Sequence, residues 1–209
     1  MNIVIFGANG GVGRSLIEQG LAQGYNVTAA VRNPATLNIN HPRLRVLPCD
    51  VLDITSVKKA CVMQDVVFGT LGANAKGPIS LYSAGAENIV QGMRTHRIRR
   101  LIFLSNFGIL GESAQDIGGR ALLFLAKQFI RHTLADHQRA LDVIKENAPE
   151  WVVVRPLVLK NGPRTQRYRV SIDGLPGKGF QISRADVADF MLQQETHDEY
   201  LHKVPAIAN

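Results

Sequence analysis

Three glycines, Gly7, Gly10 and Gly13, stand at G-x-x-G-x-x-G spacing within Gly7-Ala8-Asn9-Gly10-Gly11-Val12-Gly13. The chemistry such a run offers belongs to the backbone. Glycine at the first position permits a tight turn, and at the second it lets a pyrophosphate approach the main chain. At the third it lets a helix sit close to a sheet. Unpaired N–H groups and the positive dipole end of that helix then attract phosphate oxygens. A second polar pair, Ser105-Asn106, follows the apolar run 101–104. A hydroxyl and an amide at the end of a buried strand can orient a ring or donate to a carbonyl oxygen. The competing reading is a strand-end turn held by side-chain-to-backbone bonds.

The glycines gain meaning from the elements around them. Met1-Asn2-Ile3-Val4-Ile5-Phe6 is an apolar run of strand length, and Leu16, Ile17, Gly20, Leu21 and Gly24 recur on one helical face behind it. Strand, glycine turn and helix in that order open a dinucleotide-binding βαβ unit. Further strands are expected at 27–31, 44–47, 65–69, 101–104 and 151–155. Helices are expected at 54–61, after Pro78 and Ser80 on the stripe Ala86, Ile89, Val90 and Met93, at 118–147, and from the Ser183 cap to Gln193. Such alternation predicts an α/β protein built on a doubly wound parallel sheet, a Rossmann fold. The 209 residues fit one domain, 1–209, with small lid-like excursions at about 107–135 and 160–182. The stretch 160–179, rich in glycine and proline, reads as an excursion or a short hairpin.

Which dinucleotide is bound turns on the end of the second strand. An acid there normally holds the ribose 2′-hydroxyl of NAD, but this chain has Arg32. A guanidinium grips a 2′-phosphate in a bidentate manner, so NADP is the expected cofactor, with a plain surface arginine as the alternative. Arg14, in the first helical turn, is a second phosphate candidate or a solvated cation. Asp50 and Val51 follow the third strand, where an acid can accept from the adenine amino group. Leu71-Gly72-Ala73 would pass behind the adenosine ribose. Phe107, Tyr168 and Phe180 are either ring-stacking walls or packing residues. His137 shares the stripe of Leu134, Leu141 and Ile144 and either faces inward near the site or is a satisfied core histidine, the second being the default reading.

Composition narrows the partners. With 45% hydrophobic and 20% charged residues the chain can form a core. A net charge of +7 suits nucleic acid or a phosphate-rich small molecule equally well. The basic run Arg94-Thr95-His96-Arg97-Ile98-Arg99-Arg100 has no interleaved aromatics for base stacking, and reads as a solvated helix end. No nucleic-acid partner is therefore expected. Nor is a membrane partner, since no apolar run approaches the ~20 residues of a bilayer span, and the N-terminus lacks a basic leader. Cys49 and Cys61 form no CxxC, and the six histidines are scattered. Reduced thiols, a cytoplasmic location and no metal site are the corresponding expectations. The oligomeric state is left open.

Several stretches together resemble a known group: GANGGVG, AVRNP, CDVLD, Ser83-Ala84-Gly85-Ala86-Glu87-Asn88-Ile89-Val90, residues 101–106, Val153 with Arg155-Pro156, YRVSIDG and ISRADVADFML. The chain is similar to atypical short-chain dehydrogenases/reductases, most closely to the biliverdin reductase B/flavin reductase family and the NmrA-like NAD(P)-binding proteins. The resemblance covers most of the chain in unbroken order. It implies an NADPH-dependent reductase acting on a flavin or another planar quinonoid acceptor. On the cofactor side it implicates Gly7, Asn9, Gly10, Gly11, Val12, Gly13, Arg32, Asp50, Val51, Leu71, Gly72, Ser105 and Pro156, and on the catalytic side Ser105 and Asn106. The catalytic side also departs from the pattern. The reductase family has Thr-Ser where this chain has Ser105-Asn106, and a histidine where this chain has Val158. A Tyr-x-x-x-Lys dyad is missing, since Tyr200-Leu201-His202-Lys203 has other spacing. These departures keep a second expectation alive: a non-enzymatic NADP(H) sensor that regulates a partner, as NmrA-like proteins do.

Overall fold

The computed structural model describes residues 1–72, 79–109, 117–177 and 179–209, and for 117–130 the backbone course alone. The chain opens with strand β1 (Asn2–Phe6), helix α1 (Gly11–Ala22) and strand β2 (Asn26–Val31). Strand β3 (Leu44–Pro48), helix α2 (Ile54–Ala60) and strand β4 (Val66–Gly69) follow. Then come helix α3 (Leu81–His96), strand β5 (Arg100–Leu104), helix α4 (Ile117–Asn147) and strand β6 (Glu150–Pro156). The remainder holds β7 (Val158–Lys160), β8 (Arg169–Ser171), β9 (Gln181–Ser183), α5 (Arg184–Gln193) and β10 (Ala206–Ala208).

The strands line up as β3-β2-β1-β4-β5-β6-β10-β8. Every pairing from β3 to β10 is parallel; β8 closes the edge antiparallel to β10. Because the order reverses between β1 and β4, a crevice opens there at the carboxyl ends of the strands, where such sheets hold ligands. Side chains alternate across the sheet. Val4, Phe6, Val67, Leu101, Phe103 and Val153 meet α3 and α4 through Ile89, Met93, Leu141 and Ile144. On the opposite face, Ile3, Ile5, Phe68, Ile102 and Val154 meet α1 and α5 through Leu16, Ile17, Val187 and Met191. The doubly wound sheet expected from the alternation is present.

Two expectations need correction. The stretch 160–179 is not a hairpin. Strand β7 pairs in parallel with β9, with Val158 opposite Gln181, and β8 lies on the edge of the main sheet instead. Glycine and proline marked the turns, but a parallel pairing partner some twenty residues away leaves no local signal. The other expected excursion, 107–135, is from Ile117 onward the first half of α4, while 110–116 lie outside the described residues.

Polar bonds fasten the second excursion to α5. Asp186, fully buried, accepts from the N–H groups of Thr165 and Gln166 and from the Thr165 hydroxyl. These bonds hold its carboxyl below the usual range against the opposing effect of burial. Asp189, also buried, accepts from Arg164, Gln166 and the Tyr168 hydroxyl. Tyr168 stands edge-on to Phe190, so it packs the excursion onto α5 and is no ring wall.

Candidate active site

The glycine turn has the tight bend expected at Gly7 and the close helix approach expected at Gly13. Gly7 has φ +77°, and a Cβ there would strike the carbonyl of Thr70. A Cβ on Gly13 would come within 2.6 Å of the Gly7 oxygen and 2.7 Å of the Ala8 Cα. At Gly10 a Cβ would press on the Gly7 oxygen at 3.3 Å, with the Thr70 oxygen at 3.9 Å, so the position is tight but less closed than Gly7 and Gly13. Gly10 provides no side-chain cap, and the first turn of α1 contains no acid. By contrast, Asp53 caps α2 and Ser183 caps α5. The first N–H groups of α1 thus face a glycine-walled cradle, which fits a pyrophosphate.

The adenosine side is braced by a small network. Asn9 Nδ2 donates to the Thr36 hydroxyl at 2.9 Å. Arg14 donates to the Asn9 carbonyl, the Asn9 side-chain oxygen and the Thr36 carbonyl. Arg14 therefore ties the glycine turn to the loop after β2, a role that reading it as a phosphate ligand or a solvated cation did not capture. Arg32 is exposed at the carboxyl end of β2. Asp50 uses one carboxylate oxygen to accept from Leu52 N–H at 3.0 Å. Val51 and Leu71 are buried beside each other under Gly85, where a Cβ would lie 2.7 Å from Leu71 Cδ1 and 3.2 Å from Val51 Cγ2. A Cβ on Gly72 would meet nothing within 4 Å. Ala73 lies outside the described residues.

Ser105 directly follows β5, two strand spacings from Gly7, or about 10 Å along the carboxyl edge of the sheet. It is buried, and its N–H donates to the Val154 carbonyl at 2.8 Å. Its hydroxyl lies 3.2 Å from Nδ1 of His137, which α4 delivers. The imidazole is stacked on Tyr82 of α3, with centroids 3.7 Å apart. Burial lowers the His137 pKa to about 4, against the opposing pull of Asp136. The ring is therefore neutral at ordinary pH, with one nitrogen able to donate and the other to accept.

Asp136 sets that arrangement. Fully buried on α4, it accepts from Tyr82 N–H at 2.8 Å and from the Ser83 hydroxyl, capping α3 in place of Ser80. Arg139 pairs with the same carboxylate at 2.9 Å and donates to the Ile79 carbonyl. The α3–α4 contact is thus fixed one residue away from His137.

Asn106 is partly exposed beyond Ser105, and Pro156 is buried at the end of β6. Val158, at the position where the resembling reductases carry a histidine, is 61% exposed on β7. The imidazole near Ser105 comes from another element altogether. Phe107 packs on Leu157, Leu175, Ala206 and Ala208, whereas Phe180 is 62% exposed. The stripe had His137 in view as an inward-facing residue near the site or a satisfied core histidine, and its bond to Ser105 fits both descriptions. Asp136, Tyr82 and Arg184, the last lying across Gly11, were missed because their roles depend on contacts between distant elements.

Fold and cradle define a nicotinamide-nucleotide-binding α/β protein. The chain belongs to the NAD(P)H-binding family, whose model matches residues 7–198. Oxidoreductases are among its relatives. It is 25% identical over 186 residues to cinnamoyl-CoA reductase 2 of Medicago truncatula, covering 78% of this chain and 55% of that one. Two solved structures share its fold. One is a short-chain dehydrogenase/reductase from Veillonella parvula in complex with NADP, with TM-score 0.80, 19% identity and coverage of 100% of this chain and 94% of that one. The other is ChuY, an anaerobilin reductase from Escherichia coli O157:H7, with TM-score 0.80, 20% identity and coverage of 100% and 97%. Among the described residues no helix is long and apolar enough to cross a membrane, and no group of His, Cys, Asp and Glu could hold a metal ion.

Proposed function

We propose that the protein is an NADPH-dependent reductase that passes hydride to a flavin or a similar planar quinonoid acceptor in the cytoplasm. The observation that carries this reading is the Ser105–His137 pair at the end of β5, in line with the glycine cradle. The pair favours catalysis over sensing because it sets a hydroxyl of fixed direction at the carboxyl end of a central strand, where such sheets bind ligands.

Bound NADPH would supply the hydride, and the protein's share is then to hold two rings together and manage one proton. The uncapped start of α1 receives the pyrophosphate, and Arg32 meets the 2′-phosphate. Ser105 orients the nicotinamide or the acceptor oxygen, with His137 fixing the direction of its hydroxyl. Asn106 donates to an acceptor carbonyl. Val158 and Phe180, apolar and exposed beyond the end of β6, offer a flat acceptor a surface to rest on.

Oxidation of NADPH by free FMN and by a series of quinones tests the reading. Turnover above the uncatalysed exchange is expected. Ser105→Ala should lower kcat, while Asn106→Ser should be tolerated because a hydroxyl also donates one hydrogen bond. Rates equal to the uncatalysed exchange with every acceptor, alongside tight NADPH binding, would make the protein a nucleotide sensor instead.

A further inference from the structure

Arg184 is the first residue of α5, yet its side chain belongs to α1. Its stem lies across Gly11: a Cβ added there would overlap Arg184 Cδ and sit 2.7 Å from Nε. Nη1 donates to Asn161 Oδ1 at 2.9 Å, which holds the guanidinium over the start of α1.

The charge environment is unusual. Arg184 stands at the positive ends of two helices at once, a place where cations are disfavoured and anions favoured. Neither first turn relieves this fully. That of α1 has no acid, and in α5 the carboxylate of Asp186 is already engaged by Thr165 and Gln166. Three other arginines are neutralised by carboxylates: Arg100 by Glu150 and Asp198, Arg139 by Asp136, Arg164 by Asp189. Among the described residues no carboxylate pairs with Arg184. A cation left without a counterion at two helix starts violates a local rule, and such violations mark function.

We infer that Arg184 is a pyrophosphate-binding residue, its guanidinium closing over phosphate oxygens held by the first N–H groups of α1. The inference rests on the nucleotide reading above and adds a ligand from the far end of the chain. It also gives Gly11 a purpose distinct from those of Gly7, Gly10 and Gly13: the absent side chain is the channel through which Arg184 reaches the cradle. Asn161 is the positioning residue that keeps the fork aimed.

Equilibrium binding to the intact protein tests this, with three probes: NADPH and ADP, which carry a pyrophosphate, and adenosine 2′-monophosphate, which does not. In Arg184→Ala, affinities for NADPH and ADP should fall by roughly tenfold or more, as for a lost charge-assisted hydrogen bond, with a shallower salt dependence. Adenosine 2′-monophosphate should bind as before. Arg184→Lys should recover part of the loss by keeping the charge. Circular dichroism and thermal unfolding confirm that each variant is folded, and a variant that fails to fold is replaced by Gly11→Ala, which displaces the same side chain. Equal weakening of all three probes, or no change in any of them, would overturn the inference. A parent protein that binds neither NADPH nor ADP would instead sink the nucleotide reading itself.

Discussion

Burial keeps His137 uncharged, and the sign of the resulting linkage is definite. The unfolded chain takes up a proton near pH 6.5 that the folded one refuses until about 4. This contribution to stability is therefore complete above pH 6.5 and is lost as pH falls toward 4, up to about 3 kcal/mol for a shift of this size. Urea unfolding at pH 7 and pH 4.5 should show that loss in the parent and a smaller one in His137→Gln. Turnover should stay flat from neutrality down to about pH 5, because the imidazole does not change charge in that range. At the other end of the crevice, Arg32 bears on the choice of nucleotide. Arg32→Ala should weaken NADPH binding by roughly tenfold or more and leave NADH nearly unchanged, as read by titration of the nicotinamide fluorescence. Equal affinities of the parent for the two nucleotides would refute that role.

Among the elements, β1 with the turn and α1 was the most legible in the sequence, because everything it requires is local. An apolar run, three glycines and a helical stripe leave one arrangement, and the close approaches at Gly7 and Gly13 are the physical counterpart of the spacing. Gly10→Val should abolish nucleotide binding with the fold kept, since a Cβ needs only a small shift of the Gly7 oxygen while the branched methyls would fill the cradle; calorimetric titration with NADP⁺ and a circular dichroism spectrum together check it. Much less of the catalytic end was visible. The stripe Leu134, Leu141 and Ile144 places His137 inward, but nothing local says that α4 meets Tyr82 and Ser105, or that Asp136 caps a helix fifty-odd residues earlier. Strands β7 to β10 stayed hidden for a related reason. Each has three residues, too few for a period, and their pairing is decided by partners far along the chain.

Taken as a whole molecule, the sheet arranges its ligands by strand order. On the proposed reading, adenosine contacts would fall at the β2 and β3 ends, the phosphates at β1, and the reacting ring at β5 and β6. An extended dinucleotide would thus touch both halves of the sheet, and anything that binds only the folded state stabilises it. Saturating NADPH should raise Tm, by the equivalent of about 2.7 kcal/mol at one hundred times Kd, and NADH at the same concentration should raise it less. The net charge of +7 also makes sense at this scale. Part of it, Arg32 and Arg184, stands around a crevice that fits a polyanion, and no basic stripe with stacking aromatics is needed to account for it.

The two carboxylates of α5 have an evolutionary corollary. Asp186 and Asp189 bind the segment 164–168 chiefly through partners inside 164–193, with Asn209 added from beyond it, so excursion and helix form a largely self-wired cassette. Its inner face, Val187 and Met191, packs on the α1 side of the sheet with ordinary apolar shape, while its outer residues, such as Phe180 and Ile172, are free to vary in solvent. The cassette is anchored outward at three places: Arg184 lies over Gly11, the Ala185 carbonyl accepts from Gln19, and β8 pairs with β10. A substitute segment would have to keep those three anchors to leave the glycine turn untouched.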